Sequence, residues 1–189
     1  MIVKLPPFVA LCGNPKSGKS LAQKILEDNF GYKPVDDGWP MRDFAMRHLG
    51  LTLEDVMTQE GKSRISNIDG TNWEHRKILG ELGNKLEAMF GPHAMPYMAI
   101  AGCTPGELYS FGSVRRDQGA FYQKRGGIVL EIHNPLAPAS RYEFDQYDSS
   151  IVDSVIFNDA QSKGMSPLVG IADLEAKIIA AINKFTVAE

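Results

Sequence analysis

Gly13-Asn14-Pro15-Lys16-Ser17-Gly18-Lys19-Ser20 is the stretch from which the rest of the chain can be laid out. It has the form G-x-x-x-x-G-K-[ST], a glycine-rich turn leading into a helix. Glycine at 13 and 18 lets the main chain turn tightly and approach an anion with no Cβ in the way. Successive N–H groups then point inward, and the helix beginning near Gly18 adds the positive end of its dipole. Lys19 is placed to reach the β- and γ-phosphates of ATP, and the Ser20 hydroxyl to hold Mg²⁺. The whole run, Asn14, Pro15, Lys16 and Ser17 included, is therefore the expected nucleotide site.

The flanks supply the context this loop requires. Phe8-Val9-Ala10-Leu11-Cys12 is an apolar run bounded by Pro7 and Gly13, and predicts a buried strand. After Ser20, Leu21, Ile25, Leu26 and Phe30 recur at helical spacing, and Gly31 is a natural stop. A glycine-rich turn before a helix would account for the glycines alone. It leaves the Lys19-Ser20 pair and the spacing unexplained.

Working outward, Tyr32 to Asp37 predicts a second strand, with Pro34 pointing to the edge of a sheet. Met41 to Leu49 predicts a short helix started by Pro40 and closed by Gly50. Thr52 then caps another, with Asp55 three residues on. Gly61 to Thr71 is expected as a polar loop, and Asn72 to Phe90 as a long helix. The apolar stripe of that helix is Trp73, Ile78, Leu79, Leu82, Leu86, Met89 and Phe90. A helix over Pro92 to Ala101, a strand over Glu107 to Phe111 and a helix over Asp117 to Lys124 follow. Gly126-Gly127 turns into a strand over Ile128 to Ile132. Asn134 to Ser150 has no period and reads as a loop or small lid. Ser154 to Phe157 is a last strand, and Ile171 to Phe185 the closing helix.

Strands alternating with helices predict βαβ units and a parallel sheet. The expected architecture is thus α/β: a single domain over 1–189 with the P-loop NTPase fold, a five-stranded parallel sheet flanked by helices. A helical insertion is expected over 38–105 and a lid-like loop over 133–150.

Composition narrows the function classes. A formal charge of −3 gives no general nucleic-acid or membrane surface. The two cysteines, Cys12 and Cys103, are far apart and in no C-x-x-C pair, so neither a disulfide framework nor a zinc site is expected. His48, His75, His93 and His133 have no metal-ligand spacing. The first residues lack the long apolar region of a signal peptide, and no run reaches transmembrane length, so a cytoplasmic protein is expected.

Phosphoryl transfer needs positive groups around the moving phosphate, and arginine's planar fork binds phosphate bidentately. Arg42, Arg64, Arg76, Arg115, Arg116, Arg125 and Arg141 are the candidates. Arg115 and Arg116 stand out because they follow a strand end, the face where open α/β sheets bind ligands. Arg42 likewise follows a strand end closely. The acid that usually completes a magnesium site would end the third strand, where Ser113 stands instead. Asp36 and Asp37, after the second strand, are the available substitutes, or else the capping acids of a turn.

With these residues in view, the chain resembles the phage-type deoxynucleoside monophosphate kinases, relatives of adenylate kinase. Gly38-Trp39-Pro40-Met41-Arg42 is similar to that family's Ala-Asp-Pro-Leu-Lys/Arg. Arg76-Lys77-Ile78-Leu79-Gly80-Glu81-Leu82-Gly83 is similar to its Arg-x-x-Leu-x-x-x-Gly. Ser113 to Gly119 resembles its Asp-Val-Arg-Phe-x-Asn-Glu, and Asn158-Asp159 its late Asn-Asp.

The resemblance implies transfer of the ATP γ-phosphoryl group to a (deoxy)nucleoside monophosphate, with Mg²⁺. It implies an acceptor site of Arg42 and Arg76, to which Asp37, Trp39, Arg64 and Gly83 are added. Lys19, Arg115, Arg116 and Arg141 would act on the transferring group, Ser20 and Asp36 on the metal, and Asn158 and Asp159 beside the ATP base. The implied partner is the monophosphate, with no membrane, no nucleic acid, and a homodimer left open. A phage-encoded chain would work in the host cytoplasm. Three departures stand out: Ser113 for Asp, Gly119 for Glu and Trp39 for Asp. The first bears on magnesium, the other two on the acceptor pocket. A kinase acting on a modified base in DNA, and a nucleotide-binding module without turnover, are the other two readings.

Overall fold

The computed structural model describes residues 3–188. Within it the chain forms two compact units, one made of the residues up to Asp36 and from Ala99 onward, the other of Asp37–Met98.

The first unit carries β1 (Val3–Lys4), β2 (Phe8–Cys12), α1 (Lys19–Phe30) and β3 (Lys33–Val35) before the chain leaves it. The second unit contains α2 (Trp39–Leu49), α3 (Leu53–Met57), α4 (Gln59–Ser63), β4 (Ile65–Ile68), β5 (Thr71–Glu74) and α5 (His75–Phe90). The chain returns within α6 (Ala94–Ile100). It then forms β6 (Tyr109–Phe111), α7 (Gly119–Gln123), β7 (Ile128–His133), β8 (Ser154–Phe157), α8 (Pro167–Lys184) and β9 (Val187–Ala188). The stretch expected as an insertion, 38–105, overlaps the second unit, but Ala99, Ile100 and Cys103 pack into a core of the first.

Among the described residues, five strands pair wholly in parallel in the order β3-β6-β2-β7-β8. This is a phosphate-loop α/β fold. Side chains along β2 alternate between two cores. Val9 and Leu11 join Ile25 and Leu26 of α1 and Leu174, Ile178 and Ile182 of α8. Ala10 and Cys12 join Phe111, Val129 and the α7 residues Phe121 and Tyr122 on the other face. A sheet covered on both faces needs strands apolar at every position, which is why Phe8–Cys12 shows no alternation in sequence. Pro34 sits on β3 at the sheet's edge, where its missing N–H costs no ladder bond.

Helix ends follow the local signals. Gly31 and Gly50 adopt the left-handed conformation at the ends of α1 and α2. Thr52 and Asp55 form a reciprocal capping box on α3: Asp55 N donates to Thr52 Oγ1 at 3.2 Å, and Thr52 N donates to Asp55 Oδ2 at 2.9 Å.

Several expectations are corrected. Residues 61–71 are not a loop: α4 precedes a β4–β5 hairpin, paired from Ile65↔Glu74 to Ile68↔Thr71. Asp69 and Gly70 turn it, both with positive φ (48° and 78°), as a two-residue hairpin turn requires. The long helix consequently starts at His75, and Trp73 belongs to a strand. Its stripe is shorter than expected too. Ile78 is buried with Ala45, Leu51 and Val56, whereas Met89 and Phe90 are exposed. The closing helix begins four residues early, with Pro167 at its first position behind Ser166. The β1–β9 pair was not anticipated.

Candidate functional site

The loop after β2 leaves the sheet where its strand order reverses, between β6 and β7, the crevice in which open α/β sheets take ligands. Its backbone is built for close approach. Gly13 has φ +132°, and a Cβ there would lie 2.4 Å from the Ile132 carbonyl oxygen. Gly18 has φ +110°, and a Cβ there would lie 2.5 Å from Asn158 Nδ2. Lys16, between them, is also left-handed, with φ 66°. Ser17 N closes the turn on Asn14 O at 3.1 Å, and α1 starts at once, Ala22 N reaching Gly18 O at 2.9 Å.

Two side chains fold into this loop. Lys19 curls back over it, donating to the carbonyl oxygens of Gly13 (2.7 Å) and Asn14 (2.9 Å). Ser17 is 1 % exposed, and its hydroxyl finds no hydrogen-bond partner among the described residues. A buried hydroxyl left unpaired costs about 1–3 kcal/mol, a cost this loop carries at its centre. Ser20, on the first turn of α1, is exposed and open to a metal ion.

Asn158 and Asp159 follow β8. Asn158 Nδ2 donates to Ser17 O at 2.8 Å, and its N–H to His133 O at 2.8 Å, so it braces the loop from behind. Asp159 is clasped by Lys163 (2.8 Å) and Lys177 (3.0 Å), whose hydrogen bonds hold its carboxyl down at about 2. Lys177 also bonds Phe157 O and Asp173. This makes Asp159 part of a charged clasp between the end of β8 and α8.

Arg115 and Arg116 follow β6, as expected. Arg115 Nη2 lies 3.2 Å from Asp145 Oδ1, and its guanidinium carbon 5.7 Å from the Phe144 ring centre. Arg116, at φ 47°, pairs through its backbone with the 134–150 segment: its N–H donates to Gln146 O at 2.7 Å and Asp148 N to its carbonyl at 2.8 Å. Arg141 is exposed, lying over the Tyr142 ring at 4.8 Å and bonding its hydroxyl at 2.5 Å.

Glu131 was missed by sequence reasoning. It pairs in register with Cys12, one strand over from the loop, and lies 3.2 Å from His133 Nδ1. Burial and then Glu131 push the Cys12 thiol up to about 12. The available signal was a lone acid inside an apolar strand. Asp36, by contrast, follows β3, two strands from β2, or roughly 10 Å across the sheet. Among the described residues no three His, Cys, Asp or Glu side chains gather as a metal site.

The proposed acceptor residues all belong to the second unit. Asp37 is buried and Trp39 is 43 % exposed. Arg42 Nη1 lies 3.5 Å from Met57 Sδ, and Arg76 bonds Gln59 Oε1. Arg64 is ion-paired with Glu54 (2.5 Å), Asp55 (3.2 Å) and Glu60 (3.6 Å), so its guanidinium ties α3 to α4. A Cβ on Gly83 would meet nothing within 4 Å. Gly119 has a packing reason instead of a pocket one: a Cβ there would come 2.7 Å from Val129 and 2.9 Å from Ile151.

No protein-family model matches the chain, and no curated protein matches it. Solved structures do align along nearly its whole length. TT1252 from Thermus thermophilus is 17% identical over 95% of this chain and 99% of that one, with a TM-score of 0.49. A gluconokinase from Sinorhizobium meliloti 1021 is 10% identical over 96% of each, with a TM-score of 0.43. The shikimate kinase from Aquifex aeolicus vf5 is 15% identical over 94% of this chain and 96% of that one, also at 0.43. No helix among the described residues is long and apolar enough to cross a membrane.

Proposed function

We propose that the chain is an ATP-dependent kinase that phosphorylates a (deoxy)nucleoside monophosphate. The observation that carries the nucleotide half is the cradle at 13–20, with its two glycines fixed by close approach and its buried, unpartnered Ser17 hydroxyl. The acceptor half rests on the compact unit 37–98, which holds Arg42 and Arg76 in the order the resemblance gives them.

In this reading the backbone N–H groups of the loop and the start of α1 bind the phosphate tail. The Lys19 ammonium leaves the Gly13 and Asn14 carbonyls to follow the β- and γ-oxygens. Ser20 would hold Mg²⁺, which when bound would neutralise charge building on those oxygens. Arg115, Arg116 and Arg141 add positive charge around the transferring group. The acceptor phosphate oxygen is already a competent nucleophile, so alignment and charge stabilisation suffice and no covalent intermediate is needed. The 134–150 segment would exclude water from the reacting phosphate.

The test is ADP release, followed by a coupled assay, across ribo- and deoxyribonucleoside monophosphates. Turnover that requires a free monophosphate supports the proposal. Turnover only with DNA present, or MgATP binding without any transfer, removes the acceptor assignment.

A further inference from the structure

We infer that Asp145 is a positioning residue for Arg115, so that the orientation of this arginine and the seating of the 134–150 segment are one event. The inference deepens the kinase reading and rests on it for its catalytic half.

Asp145 is a carboxylate with both oxygens assigned. Oδ1 faces Arg115 Nη2 at 3.2 Å, and Oδ2 accepts from Ser140 Oγ at 2.7 Å. Its side chain is only 8 % exposed, against 33 % for that of Arg115. Burying a carboxylate is costly unless it is paired and hydrogen-bonded, and here it is both. Ser140 is itself fixed: its hydroxyl accepts from Tyr142 N at 3.2 Å. Phe144, stacked on Tyr142 with ring centres 5.0 Å apart, stands 5.7 Å from the guanidinium carbon. One side of the arginine fork is therefore held by a compact turn spanning 140–145.

The same segment is pinned at a second point. Arg116 pairs by backbone with Gln146 and Asp148 on either side of Tyr147. Two consecutive residues at a strand end thus do different work. Arg116 fixes the register of the segment through its main chain, and Arg115 joins it through its side chain. A guanidinium clamped on one edge by a buried carboxylate loses little rotamer freedom when it meets a phosphoryl oxygen, which is what a transition-state contact needs.

The experiment uses the full chain in three forms: Asp145→Asn, Asp145→Glu and Arg115→Ala. Asp145→Asn is expected to lower kcat about tenfold while each KM stays within about twofold, the signature of an interaction made in the transition state. Asp145→Glu should recover part of the loss. Free guanidinium at low millimolar concentration should restore activity to Arg115→Ala and fail to restore it to Arg115→Ala/Asp145→Asn.

Amide exchange supplies an arm independent of catalysis. Protection of residues 140–148 should fall in Arg115→Ala and return with guanidinium only where Asp145 is present. Wild-type kcat in Asp145→Asn, or equal guanidinium rescue with and without Asp145, overturns the inference. A wild-type chain with no transferase activity would remove the kinase reading instead. The exchange experiment then decides the Arg115–Asp145 coupling alone.

Discussion

The side-chain amide of Asn158 donates to the main-chain carbonyl of Ser17 at 2.8 Å, across 141 residues of sequence. That single bond joins the segment after the last parallel strand to the middle of the phosphate loop. It also explains Gly18, whose absent Cβ leaves the space the amide occupies. Gly18→Ala would force a side chain into a left-handed backbone and against Asn158 at once. It is expected to cost about 1–3 kcal/mol in stability and to weaken MgATP binding at least tenfold. Asn158→Ala should weaken binding less, because it removes the brace and leaves the turn. Urea unfolding and calorimetric titration of both variants check the order.

Asp159 gives the chain an acid-sensitive contact. Its carboxyl is held at about 2, against an ordinary 3.8, by Lys163 and Lys177. A depressed acid contributes stability above its unfolded value and loses it as pH falls through the folded one. The contribution is therefore present above 3.8 and disappears between 3.8 and about 2. Asp159→Asn should unfold at lower urea than the wild type at about pH 6, with the gap closing by about pH 2. A gap that persists at the lower pH contradicts the assignment.

Ser110 is the opposite case from Ser17. It is fully buried in β6, and its hydroxyl has no hydrogen-bond partner among the described residues, but it lies within a strand, away from the loop. Ser110→Ala should raise stability by about 1 kcal/mol, since it removes an unpaired polar group from the core. Binding of MgATP should be unaffected. Ser17→Ala should also stabilise the ligand-free chain, but it should weaken nucleotide binding. The pair of variants separates an orphan hydroxyl that serves a ligand from one that serves none.

In the second unit, Thr52→Ala removes half of the capping box on α3 and should cost about 1 kcal/mol. The loss should appear in thermal unfolding, with MgATP affinity unchanged.

The parts of this molecule written in short-range signals were legible from sequence. Gly13 and Gly18 demanded a special backbone, Phe8–Cys12 a buried strand, Gly31 and Gly50 helix ends, and Thr52 with Asp55 a cap. The β4–β5 hairpin was missed because its strands are polar and only four residues each, and because Trp73 fell in phase with the helical stripe that follows it. The Asp69-Gly70 turn was the available sign. Glu131 was missed for a different reason. Acids were sought at the ends of β3 and β6, whereas this one lies inside a strand, and only the parallel register with Cys12 brings it beside the loop. The partners of Arg64 and Arg115 were likewise invisible, since ion pairs between elements depend on packing that no spacing encodes.

Every other assignment depends on capture of a nucleoside triphosphate by residues 13–20. Calorimetric titration of MgATP into the wild type and into Lys19→Ala tests it most directly. The wild type is expected to bind one equivalent with micromolar affinity, at about −8 kcal/mol, and Lys19→Ala to lose at least about 1.4 kcal/mol of that while keeping the wild-type unfolding curve. No heat of binding in a folded wild-type chain, or equal affinity in the two proteins, would contradict it.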